Sequence, residues 1–110
     1  METVEIFEHA KDTAEILKDL GNKYRLRILC TLADESLSVN DLAPKIGLCQ
    51  YATMQHLTRL KKSHLVKAKK DHKWVFYSVD ESIIELLSAI TATAENLKIE
   101  PPTNKPIKNK

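Results

Sequence analysis

At 110 residues the chain is long enough for one domain with a modest core. Its 43% hydrophobic and 29% charged residues are ordinary for a globular domain, and no apolar run approaches the roughly 18 residues that span a membrane. The net charge of +2 conceals an asymmetry: Glu2, Glu5, Glu8, Asp12, Glu15 and Asp19 crowd the start, whereas Arg59, Lys61, Lys62, Lys67, Lys69, Lys70 and Lys73 face only Asp71 within residues 59–73. Such a separation suggests one side turned towards a polyanion and one turned away from it. The acidic start lacks an apolar signal region, and two cysteines without framework spacing fit a reducing, cytoplasmic compartment.

Residues 4–20 read as one amphipathic helix. Val4, Phe7, Ala10, Ala14, Leu17 and Leu20 recur at three and four, with Ile6 and Ile16 beside them. A stripe this rich needs a cover, and a second subunit is the natural one. Gly21-Asn22 stops the helix. Residues 23–33 form the next, burying Leu26, Ile28, Leu29 and Leu32 and leaving Tyr24, Arg25 and Arg27 towards the surface. Cys30, inside this apolar run, reads as a small buried hydrophobe.

Residues 38–62 organise the chain. Ser38 is placed to cap a short helix that buries Val39, Leu42 and Ile46, with Asp41 three residues on. Gly47 ends that helix, and Pro44 inside it should bend it. A second helix runs from about Cys49 to Lys62. Its inner face is Ala52, Thr53, His56, Leu57 and Leu60. Its outer face carries Gln50, Tyr51, Met54, Gln55, Thr58, Arg59, Lys61 and Lys62, with no acid among them. Those side chains offer donors and acceptors for base edges and cations for phosphates, as a helix in a DNA major groove requires.

Ser63-His64 is a sharp turn at which His must tolerate the left-handed region. From Leu65 the period changes to two. Val66, Ala68, Trp74 and Phe76 alternate on one face, and Val75, Tyr77 and Val79 on the other. The intervening Lys69, Lys70, Asp71, His72 and Lys73 read as a charged hairpin tip, a wing whose lysines can hold phosphates, with Trp74 and Phe76 as wing core. A two-stranded ribbon is marginal alone, so it must pack on the helices. Asp80 can cap a last helix with an apolar face of Ile83, Ile84, Leu86, Leu87, Ile90, Ala94 and Leu97. Residues 1–99 then form one domain, and Pro-, Lys- and Asn-rich residues 100–110 a disordered tail.

The order is helix, helix, helix-turn-helix, hairpin, helix: mainly α with a β-hairpin wing. The segments LKDLGNKYRLRILCTL, LSVNDLAPKIGLCQYATMQHLTRLKKSHLV and KWVFYSVDE resemble, in order and spacing, the ArsR/SmtB family of bacterial winged-helix repressors over about residues 15–90. The resemblance implies a homodimer joined through its first and last helices, bound to a palindromic operator on double-stranded DNA.

Departures from the family pattern bear on the effector. One metal-binding class has cysteines where this chain has Ser38 and Asn40, and another uses Asp and His where it has Glu81, Ile83, Ala94 and Leu97. No metal or other cofactor is therefore expected. The similarity is greatest to a cysteine-based sulfur- and redox-sensing branch. There Cys30 matches the first cysteine, but Asn96 stands at the second. Cys49, where the family usually has a capping Ser, reads first as a passive cap and is the other redox candidate.

His9, His56, His64 and His72 are scattered over different elements, and no nucleophile–base pair or glycine-rich phosphate loop is present, so an enzyme is not expected. The alternative to a DNA-binding regulator is a winged-helix interaction module that meets an acidic protein partner. Tyr51 and Met54 keep it open, because the family often has small Ser at such positions.

Overall fold

The computed structural model describes residues 3–98, so the tail expected at 100–110 lies outside the described residues. Helices α1 (Thr3–Glu8), α2 (Ala10–Leu20), α3 (Lys23–Asp34), α4 (Val39–Ile46) and α5 (Gln50–Lys62) precede strands β1 (Lys67–Asp71) and β2 (Trp74–Ser78), and α6 (Glu81–Leu97) follows. This is a winged helix-turn-helix. Elements α1 to β2 make one compact unit, and α6 belongs to a second. The expected first helix is interrupted at His9, where ψ is 13°; the ladder still runs through it, from His9 N–H to Glu5 O and from Thr13 N–H to His9 O.

Local chemistry sets the helix ends. Asn22 Oδ1 accepts from the N–H groups of Tyr24 and Arg25, at 2.9 and 3.0 Å, and starts α3. Ser38 Oγ accepts from Asp41 N–H and starts α4. Gly47, at φ 80°, ends α4 in the left-handed conformation that glycine adopts without strain. Among the helices of this unit the core is aliphatic: Ile28 and Leu29 from α3, Leu42 and Ile46 from α4, Leu57 and Leu60 from α5 are all essentially inaccessible. Thr53 shares that core, and its hydroxyl donates to Cys49 O at 2.9 Å, which satisfies the buried oxygen–hydrogen group.

Two sequence expectations are corrected on α3. Arg25 is buried rather than surface-facing, because its guanidinium caps the end of α2, with Nε donating to Asp19 O at 2.6 Å. Cys30 is exposed rather than buried. On α3 the buried positions 25, 28, 29 and 32 define one side, and residue 30 points away from it.

The hairpin differs too. Its strands run to the tip, with Lys67↔Ser78 through Asp71↔Trp74 in antiparallel register and a turn of two residues, His72 and Lys73. His72 takes φ 60°, as such a short loop demands, and His64 takes φ 64° at the earlier bend. Trp74 is 46% exposed and Phe76 half-buried, whereas Tyr77 on the opposite face is buried at 8%. The wing therefore packs through Tyr77. That residue exchanges backbone hydrogen bonds with Leu37, at 2.8 and 3.1 Å, which ties β2 to the entry of α4.

Apolar side chains remain uncovered in both units. Val4, Phe7 and Leu17 are 65%, 80% and 56% exposed. Along α6, Ala89, Ile90, Thr93, Ala94 and Leu97 line a shallow groove of about 320 Å³.

The core assignment is tested by truncation. Leu57→Ala should lower the free energy of unfolding by about 2–5 kcal/mol, whereas Gln50→Ala on the outer face should stay within about 0.5 kcal/mol. Urea denaturation followed by circular dichroism reads both.

Candidate nucleic-acid interface

The helix-turn-helix is α4, a tight turn and α5. The turn is held at both ends. The N–H groups of Gly47 and Leu48 both donate to Ala43 O, at 3.1 and 3.2 Å. The exposed Cys49 caps α5, its Sγ accepting from Ala52 N–H at 3.5 Å. From α3, Arg27 Nη1 donates to Ile46 O at 3.4 Å, on the last turn of α4. Helix α5 buries only the stripe Thr53, Leu57 and Leu60, so most of its circumference is left outside.

Every outer-face residue singled out in the sequence is exposed: Gln50, Tyr51, Met54, Gln55, Thr58, Arg59, Lys61 and Lys62. Hydrogen bonds order the middle of that face. Gln55 Nε2 donates to Tyr51 Oη at 3.1 Å, one helical turn away. Tyr77 Oη, from the wing, donates to Met54 Sδ at 3.6 Å. Lys61 and Lys62 stand in the last turn, where cations suit the helix dipole. Lys69 and Lys70 on β1 and Lys73 in the hairpin turn are exposed as well. Lys73 Nζ lies 5.4 Å from the centre of the Trp74 ring. Lys73 and Trp74 share a cleft of about 220 Å³ with Asn40 and Met54, so the wing and α5 border one space.

Charge near α5 is arranged differently from the sequence expectation. The acidic start does not simply turn away: Glu15 and Asp19 of α2 form one wall of an open groove of about 670 Å³, opposite Tyr51, Gln55, Arg59 and Lys62. Asp19 is only 5% exposed. Its Oδ1 accepts from Arg59 Nε at 2.6 Å, and its Oδ2 accepts from Ser63 Oγ. Burial pushes the Asp19 carboxyl up, but the hydrogen bonds from Ser63 and Arg59 and the charges of Arg59 and Arg25 outweigh it, so it lies below its ordinary value.

His56 sits beside this cluster, its ring 6.4 Å from that of Tyr24 and nearly parallel to it. Burial, then the charges of Arg25 and Arg59, hold His56 below its ordinary value and keep it neutral near pH 7. Asp19, Arg25 and Ser63 were not among the residues the sequence singled out. Nothing local marks them, because Asp19 pairs with groups 40 and 44 positions away.

Cys30 and Cys49 are both free, exposed thiols. Among the described residues, no group of three or more His, Cys, Asp or Glu side chains is arranged to hold a metal ion, and no helix is long and apolar enough to cross a membrane.

Residues 22–68, which hold α3, the helix-turn-helix and the start of the wing, match the profile of bacterial regulatory proteins of the arsR family. The chain is 35% identical over 98 residues to the transcriptional activator HlyU of Vibrio cholerae, covering 86% of this chain and 91% of that protein. The crystal structure of the transcriptional repressor BigR from Xylella fastidiosa superposes with a TM-score of 0.77 at 30% identity, over 84% of this chain and 96% of that one. A homodimeric winged helix-turn-helix DNA-binding domain, Mb0332 from Mycobacterium bovis, shares the fold with a TM-score of 0.76 at 21% identity and 98% coverage of both chains. With the helix-turn-helix, the wing and most of the chain in register with such relatives, this protein belongs to the arsR family of bacterial regulatory proteins.

Proposed function

We propose that the chain is a homodimeric transcription regulator of the cytoplasm that binds a palindromic site on double-stranded DNA. The observation that carries this reading is the exposed, acid-free outer face of α5, beside a wing whose lysines are also exposed. Gln50, Tyr51, Met54 and Gln55 read base edges, Gln55 being suited to paired contacts with adenine. Thr58, Arg59, Lys61, Lys62, Lys69, Lys70 and Lys73 hold phosphates.

A dimer is supported by the uncovered Val4, Phe7 and Leu17 and by the apolar groove of α6, which water would otherwise meet. A twofold protein pairs naturally with a palindromic operator. Relatives carry the names of both an activator and a repressor.

The redox candidates differ in reach. Cys30 has no role at the turn, whereas the thiol of Cys49 is itself the cap of α5, so oxidation or alkylation there would disturb the start of the reading helix. Cys49→Ser should keep DNA binding and lose any sensitivity to peroxide, while Cys30→Ser should retain it.

A second reading, an acidic protein partner in place of DNA, draws on Tyr51, which is 74% exposed where small side chains are usual. Binding to labelled duplexes separates the two. The DNA reading expects affinity to fall with salt along a log–log slope near −5 or steeper, from about six or more phosphate contacts per dimer. Gln55→Ala should relax sequence choice, and Lys70→Ala should weaken all sequences alike. Leu17→Glu with Leu97→Glu should shift the protein towards monomer in analytical ultracentrifugation. Absence of any protected site in footprints of genomic fragments would instead favour the protein partner.

A further inference from the structure

We infer that Asp19 is a positioning residue for DNA binding: it holds Arg59 by one edge and so presents the rest of that guanidinium to a phosphate. The inference rests on the duplex-binding reading above and deepens it.

The geometry is specific. A carboxylate beside the last turn of α5 opposes the helix dipole, and it also ends α2, where the same objection applies. Its burial adds a desolvation cost. The arrangement persists because both oxygens are used, Oδ1 by Arg59 Nε and Oδ2 by Ser63 Oγ, the residue that caps α5. Asp19 therefore grips two points one turn apart on the end of the recognition helix. Arg25 fixes the other side of Asp19 through its backbone carbonyl.

For Arg59 the consequence is directional. Among the described residues, Nε alone of its guanidinium nitrogens carries a hydrogen bond, and its side chain is 45% exposed. A planar guanidinium engaged through Nε keeps both Nη groups in a fixed plane, the geometry that phosphate oxygens accept in pairs. Lysine cannot do both, since its single ammonium meets either the carboxylate or the phosphate. Asp19 thus acts on DNA through Arg59 and touches no nucleotide itself.

The test is a cycle of Asp19→Ala, Arg59→Ala and the double variant, with Arg59→Lys as a fourth protein. The probe is a labelled 30-base-pair duplex of mixed sequence, titrated at several salt concentrations. Each protein is held at a temperature where circular dichroism gives a native spectrum. Asp19→Ala and Arg59→Ala should each weaken binding about tenfold or more at low salt. Each should also flatten the log–log salt slope by about 1.8, for one phosphate lost per protomer of a dimer. The double variant should be no weaker than Arg59→Ala, since both act through one contact. If Asp19→Ala does not fold, Arg59→Lys decides: reduced affinity and a flattened slope support the inference.

Asp19→Ala that melts earlier but keeps the wild-type slope would reduce Asp19 to a packing role and overturn the inference, as would Arg59→Lys with wild-type slope and affinity. Failure of the wild-type protein to bind any duplex would remove the duplex-binding reading, and this inference with it. A wild-type protein that binds beside variants that keep its slope removes this inference alone.

Discussion

The helix-turn-helix depends on how α5 is held. A reading helix must be gripped firmly while most of its surface stays outside. Its buried stripe is only Thr53, Leu57 and Leu60, a narrow apolar footing for thirteen residues. Hydrophobic burial alone would fix the depth of such a helix better than its rotation, since burial is not directional. The Asp19 carboxylate supplies direction. It bonds to Arg59 and Ser63 at the far end of α5, while the cap at Cys49 and the turn at Gly47 hold the near end. Rotation of α5 about its axis would break charge-assisted bonds that solvent only partly replaces.

The wing is fixed by the same economy of means. A two-stranded ribbon cannot hold itself against the body by its own pairing. Here the body reaches out instead: Leu37, just before the α4 cap, pairs its backbone with Tyr77, and Ser36 Oγ adds a donor to the same carbonyl at 3.1 Å. Tyr77 then points its hydroxyl at Met54 on α5. One residue of β2 thus joins the wing, the start of α4 and the outer face of α5. A shift of the wing would be felt at Met54, so β2 and the outer face of α5 are coupled.

Much of this was legible in the residues. Ser38 and Gly47 bracket α4 because a hydroxyl acceptor and a positive φ have few substitutes at helix ends. The spacing of Thr53, Leu57 and Leu60 placed the inner face of α5, and its complement was therefore outside. Hydropathy alone makes the hairpin strands too short, because by that measure Lys69 and Lys70 look like a loop. Opposite them stand Phe76 and Val75, and backbone pairing continues whatever the side chains carry. Cys30 misleads for a related reason: an apolar neighbourhood in sequence is not a side of a helix. Arg25 and Asp19 were illegible in principle, since a charge is buried only where distant partners arrive to meet it.

The same partners decide what a polyanion meets. An acid left alone beside α5 would repel phosphates, and Asp19 stands on the groove bordered by Tyr51 and Gln55. Its two neighbours of opposite sign, Arg25 and Arg59, leave the cluster with one net positive charge, and the neutral His56 adds none. Protonating Asp19 would raise that positive charge, yet it would also release the hold on Arg59. Orientation and net charge therefore pull in opposite directions at this site. A screened surface charge weakens quickly with salt, whereas a guanidinium held in plane meets its phosphate at short range. On that comparison the carboxylate helps a nearby anion bind, because a fixed cation at contact distance outweighs a diffuse one of greater total charge.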